Sequence, residues 1–245
     1  MAHGYLRNSK LCCAGVGTDA TGAGGAAVAA AVEAAVAPPP PPPSLSLITR
    51  KGMVVISLRK RAAPKTVAKI VAFTIGSPEA EAGTMPPCAA LPAEDAPQAT
   101  ADAGCNFYRA EAVPGNWSMG EAFDPDGFYG PPYALLQGRF ATDAAPGDWE
   151  LPREDAPLVV RGDVCLIGSG PHFFIALAPH PEWGAGHTVF GRVADAESMR
   201  VVDALAREPT FHEQWGETAV TPLVTKLPFA VGYVEAPLPP IITDV

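Results

Sequence analysis

The sequence predicts a mainly β fold, an antiparallel sheet or barrel with helices at its ends. Two observations carry that expectation. Short apolar segments rich in β-branched and aromatic residues follow one another directly along most of the 245-residue chain. Only two stretches have helical periodicity, and strands do not alternate with helices as they would in a doubly wound fold. With 48% apolar and 18% charged residues, the chain can bury a sizeable core.

The first strands lie in SLSLITRKGMVVISLRK, from Ser44. Leu45, Leu47 and Thr49 alternate with other residues, Arg50-Lys51-Gly52 turns the chain, and Met53–Leu58 forms the second arm of a hairpin. A helix follows. Pro64 suits its first turn, where a missing N–H costs nothing, and Val67, Ile70, Val71 and Thr74 share one face. The helix stops near Gly76. Residues 77–104, rich in Pro, Ala and acids and without periodicity, read as a loop insertion. CNFYRAEAV (105–113) is a strand, 116–132 a second insertion, and YALLQGRF (133–140) a short strand. APLVVRGDVCLIG (156–168), HFFIAL (172–177) and HTVFGRV (187–193) read as strands. DAESMRVVDALARE (195–208) is the second helix, capped by Asp195, with Met199, Val202 and Ala206 on one face. VTPLVTKLPFAVGYV (220–234) is the last strand region.

The flanks are expected to lie outside the fold. Residues 1–43 form a low-complexity Ala/Gly/Pro-rich tail ending in Pro38–Pro43, which favours a stiff polyproline II spacer. Asp19 and Glu33 are its acids, and it reads as a disordered tail or an organelle transit peptide. The protein is thus placed in the cytoplasm or an organelle. The domain spans 44–236, and 237–245 is a C-terminal tail. A net charge of -9 argues against nucleic-acid and anionic-membrane partners. No stretch reaches the roughly 18–20 apolar residues of a membrane span. Five cysteines, odd in number and irregularly spaced, indicate neither a disulfide framework nor a zinc site, and no metal or other cofactor is expected. Asn116-Trp117-Ser118 is a glycosylation sequon.

Four pieces, in order, carry a resemblance. They are KGMVVISLRKRAAPKTVAKIVAF, FYRAEAVP, LLQGRF and GPHFFIALAPHPEWGAGHTVFGRV. In this order they resemble the cyclophilins, peptidyl-prolyl cis-trans isomerases, over about residues 44–234. The details are similar to a plant and green-algal branch. The resemblance implies a closed antiparallel eight-stranded β-barrel capped by two α-helices. It implies isomerase activity on X-Pro bonds, a monomer, and proline-containing peptides, unfolded proteins or cyclosporin-like ligands as partners.

The same resemblance implies the site. Isomerisation breaks no bond. It requires a twisted amide whose nitrogen regains a lone pair, and a donor aimed at that nitrogen favours the twist. Arg109 matches the family's arginine for this role, against the simpler reading of an arginine paired with Glu111. Gln137 matches the residue that binds backbone around the proline. Leu135, Phe174, Trp183 and His187 match the walls of a proline pocket, and Phe173 on the opposite strand face belongs to the core. Three positions depart from the family. Ala134 replaces a pocket phenylalanine, His172 a glutamine, and Ile167-Gly168 an Ala-Asn pair that binds substrate backbone. His172 and Gly168 remain substrate-binding candidates, and the departures support an alternative, a non-catalytic proline-binding module. Pro38–Pro43 also suits an SH3- or WW-type partner.

Overall fold

A computed structural model describes residues 42–75, 88–97, 100, 104–114, 133–140 and 149–235. The N-terminal tail to residue 41, most of the two expected insertions, the Asn116 sequon and the C-terminal tail from 236 lie outside the described residues.

The strands are β1 (Ser44–Thr49), β2 (Gly52–Leu58), β3 (Asn106–Glu111), β4 (Leu135–Arg139), β5 (Asp163–Leu166), β6 (His172–Ala176), β7 (Val189–Val193), β8 (Glu213–Trp215), β9 (Thr218–Val220), β10 (Pro222–Pro228) and β11 (Ala230–Val234). The helices are α1 (Pro64–Ile75) and α2 (Ala196–Ala206). Among the described residues, nine strands form one antiparallel sheet in the order β10-β3-β4-β6-β5-β7-β2-β1-β11, while β8 and β9 pair separately. Only Phe229 separates β10 from β11, so one run of chain supplies both sheet edges. It pairs with β3 before the bend and with β1 after it. The sheet therefore closes on itself, and counting the bent run once recovers the eight-stranded barrel.

Phe107, Phe140, Phe173, Phe190 and Phe229, each 1% exposed or less, fill the interior and meet edge-on or stacked. Gly138 of β4 is required there. A Cβ at that position would come within 2.9 Å of both Phe107 and Phe173. Gly52 answers a second demand, combining φ +134° with an approach of Val201 from α2 that leaves no room for a side chain. Helix α1 buries Val67, Ile70 and Thr74 as its periodicity predicts. Its first turn is capped from far along the chain, where Glu154 accepts from the Lys65 and Thr66 amides at 2.9 and 2.7 Å. In α2, Asp195 caps by accepting from the Ser198 amide at 2.7 Å. The buried stripe of α2 is Ser198, Val201, Val202 and Leu205, rotated from the expected Met199–Val202–Ala206 face.

Three expectations are corrected. Cys88 and Cys105 form a disulfide with Cα atoms 5.8 Å apart. Spacing gave no sign of it because the barrel, not a local motif, brings the two together. The disulfide also ties part of the 77–104 insertion down: the Val231 amide donates to the Cys88 carbonyl at 2.8 Å, and Arg50 to the Pro92 carbonyl at 2.9 Å. The strand read over 156–168 shrinks to β5, because a turn at Gly162 (φ +86°) interrupts it. The final strand region splits, and the β8–β9 hairpin ahead of it had no periodic signal.

Candidate active site

The site is built where β3, β4 and β6 lie side by side. In β3 the register slips between Phe107 and Arg109. Phe107 faces Gly138, while Arg109 faces Gln137, leaving Tyr108 as the extra residue of a bulge. Without the bulge, alternation would send Tyr108 to the face opposite Arg109. With it, both side chains reach Gln137.

A chain of polar side chains results. Glu111 Oε1 accepts from Arg109 Nε at 2.8 Å, and Arg109 Nη1 donates to Gln137 Oε1 at 3.0 Å. Gln137 Nε2 donates to the Tyr108 hydroxyl, which in turn meets His172 Nδ1 at 2.8 Å. Burial and the nearby Arg139 hold the His172 imidazolium below its ordinary range, which favours the neutral ring. Burial pushes the Tyr108 phenol up from 10 to about 12. A phenol whose folded pKa is raised contributes stability that is fully present below pH 10 and lost as pH rises through about 12. Alkaline absorbance titration is expected to show one phenolate step near pH 12, absent from Tyr108→Phe.

Glu111 anchors this chain. It is 1% exposed, and the amides of Thr221 and Tyr133 also donate to its carboxylate, at 3.1 and 3.3 Å. The Arg109 guanidinium lies over two aromatic rings, 5.6 Å from the Tyr133 centroid and 5.4 Å from that of Trp215.

Beyond Tyr133 lies a second, apolar group. Leu135, Phe174, Trp183 and His187 gather here with Cys165 and Val189. His187 meets Phe174 edge-on at 5.0 Å and Trp183 at 5.3 Å, and burial holds its imidazolium below the ordinary range. Phe174 is 2% exposed, roofed by Trp183 at 5.3 Å. Trp183 stacks flat on His180, centroids 3.6 Å apart. His180 Nδ1 lies 2.7 Å from Glu182 Oε1. Burial drives both groups toward their neutral forms, His180 down to about 4 and Glu182 up to about 7.

The structure thus brings Arg109, Gln137 and His172 into one polar chain and Leu135, Phe174, Trp183 and His187 into one apolar group, with Tyr133 6.5 Å from Trp183 between them. Phe173 lies on the other face in the core. Gly168 sits in the β5–β6 turn at φ +58°, where a side chain would meet nothing within 4 Å. Its neighbour Ile167, not Gly168 itself, packs on the apolar group. Sequence reading missed Tyr108, Tyr133, Trp215 and the His180–Glu182 pair. It weighed Glu111 only as a competing partner for Arg109, whereas Glu111 and Gln137 hold the guanidinium together. A carboxylate two residues along the strand was the available signal.

Comparison with known proteins places the chain in a family. The family model described as cyclophilin type peptidyl-prolyl cis-trans isomerase/CLD matches residues 168–224. The probable peptidyl-prolyl cis-trans isomerase A of Mycobacterium bovis is 30% identical over 165 residues, 67% of this chain and 81% of the relative. The chain belongs to the cyclophilin-type peptidyl-prolyl cis-trans isomerases. Peptidyl-prolyl cis-trans isomerase A of Mycobacterium tuberculosis matches this cyclophilin to the same extent, and the probable enzyme of Mycobacterium leprae is 28% identical. A solved cyclophilin type isomerase of Cryptosporidium parvum aligns over 79% of this chain and 98% of its own, at 12% identity and a TM-score of 0.45. At 30% identity to these isomerases, this cyclophilin is a peptidyl-prolyl cis-trans isomerase. Among its described residues, no helix is long and apolar enough to cross a membrane.

Proposed function

We propose that the chain isomerises X-Pro bonds of flexible or unfolded proteins at the Arg109–Gln137 centre. The observation that carries this is the hydrogen-bonded cross-strand pair itself. Arg109 and Gln137 face each other in register, 3.0 Å apart, beside the apolar group of Phe174, Trp183 and His187. The guanidinium has more N–H groups than its bonds to Glu111 and Gln137 use. Those left over face the proline nitrogen as the amide twists and its lone pair returns, and they bind the twisted state better than the planar one. Gln137 holds the adjoining backbone, Leu135, Phe174, Trp183 and His187 hold the ring, and His172 and the Gly168 backbone flank the peptide. In this reading residues 44–236 are the catalytic domain, 1–43 and 237–245 are tails, and the chain falls in a plant and green-algal branch.

A second reading is a proline-binding module with little turnover. It is favoured by the near-complete cover over Phe174 and by the departures at Ala134, His172 and Gly168. Magnetisation exchange between the cis and trans signals of a short Ala-Pro peptide separates the two. Catalysis brings exchange that takes tens to hundreds of seconds unaided into the sub-second range. Peptide signals that shift on binding while exchange stays at the buffer rate would establish the module instead.

A further inference from the structure

We propose that Trp215 is a specificity platform for an aromatic or bulky apolar side chain about two residues from the substrate proline. The proposal rests on the reading of Arg109 as the catalytic centre. Trp215 ends β8 in the small hairpin outside the barrel sheet. Nothing local requires a large aromatic there, and the ring is 40% exposed. Yet its orientation is fixed. Its indole Nε1 donates to Glu213 Oε2 at 2.8 Å, the Arg109 guanidinium lies 5.4 Å from its centroid, and the Tyr108 ring lies tilted beside it at 6.3 Å. A ring held by a cation and partly open to solvent offers a surface to a planar or branched apolar partner.

Its position sets which substrate residue it meets. The aromatic groups are linked contact by contact, Trp183 to Tyr133, Tyr133 to the Arg109 guanidinium, and the guanidinium to Trp215. The proline seat lies against Phe174 and Trp183, and Trp215 lies beside Arg109. Tyr133 and Trp215 are at most about 11 Å apart, the two separations from the guanidinium laid end to end. An extended peptide advances about 3.3 Å per residue. A peptide with its proline against Phe174 and its twisting amide at Arg109, whose guanidinium lies 5.4 Å from the Trp215 ring, therefore brings a side chain about two places away over Trp215. Rigid stacking favours ground and transition states alike, so the preference falls on KM and leaves kcat nearly level.

The test uses the full chain and peptides with a Gly-Ala-Pro-Gly core, carrying either phenylalanine or glycine two or three residues before or after the proline. Exchange rates give kcat and KM, and calorimetry gives Kd. At one of these positions phenylalanine is expected to lower both KM and Kd about five- to tenfold. Trp215→Ala brings that ratio close to one, and Trp215→Phe retains most of it. Equal values for phenylalanine and glycine peptides throughout, or a ratio unchanged in Trp215→Ala, overturns the platform. The catalytic reading fails separately, if Arg109→Ala leaves kcat unaltered on every peptide. The Kd ratio then still decides the role of Trp215 by the same criterion.

Discussion

Arg109→Ala is expected to lower kcat/KM on any X-Pro peptide by about a hundred- to a thousandfold, the usual cost of removing a donor aimed at charge that develops in the transition state. The loss should fall mainly on kcat, because the proline ring sits against Phe174, Trp183 and His187, which the substitution leaves in place. Arg109→Lys is the informative companion. It keeps the charge but not the planar fork that bonds Glu111 through Nε and Gln137 through Nη1. It should therefore recover only a small part of the rate. Exchange rates for wild type and both variants check this, with circular dichroism to show that each is folded. A variant lacking Arg109 that turned over at the wild-type rate would remove Arg109 from the mechanism.

Glu111→Ala is expected to cost about 3–5 kcal/mol of stability, because it leaves a buried guanidinium without its counter-charge. The Arg109 side chain is 10% exposed and that of Glu111 fully buried. The Thr221 and Tyr133 amides would also lose their acceptor. Removing both charges together should be far milder. A double variant with Arg109→Met and Glu111→Leu replaces the pair with apolar groups of similar volume, a change that is often neutral or stabilising. Urea unfolding of the single and double variants closes the cycle. If Glu111→Ala unfolds at the wild-type midpoint, the carboxylate is not what holds Arg109 in place.

Most of the barrel was legible in the sequence, and the reason is periodicity. Leu45 and Leu47, or Val54 and Ile56, alternate inward because one face of each strand is buried, and the order of residues alone displays that alternation. Arg109, Gln137, Phe174 and His187 were reached through a resemblance, not through pattern. What escaped depends on long-range placement. The bulge at Tyr108 is a matter of register between strands, and no single strand records it. Cys88 and Cys105 meet because the run through Phe229 holds both, the Val231 amide donating to the Cys88 carbonyl and the Phe229 amide to the Cys105 carbonyl. Trp215 reaches Arg109 from a hairpin more than a hundred positions downstream. The Glu154 cap on α1 is likewise remote in sequence, and nothing near Pro64 announces it.

The bend at Phe229 has a bearing on how this protein is made. Ser44 in the first strand pairs with Val234 in the last, and these positions are 190 residues apart. During synthesis the growing chain exposes β1 and β3 long before their partner leaves the ribosome, and both carry unpaired backbone groups open to association with other chains. Closure across so long a separation is intrinsically slow. A peptidyl-prolyl isomerase thus has, in its own topology, a slow step of its own, closure of a barrel whose first strand waits for a partner 190 positions away.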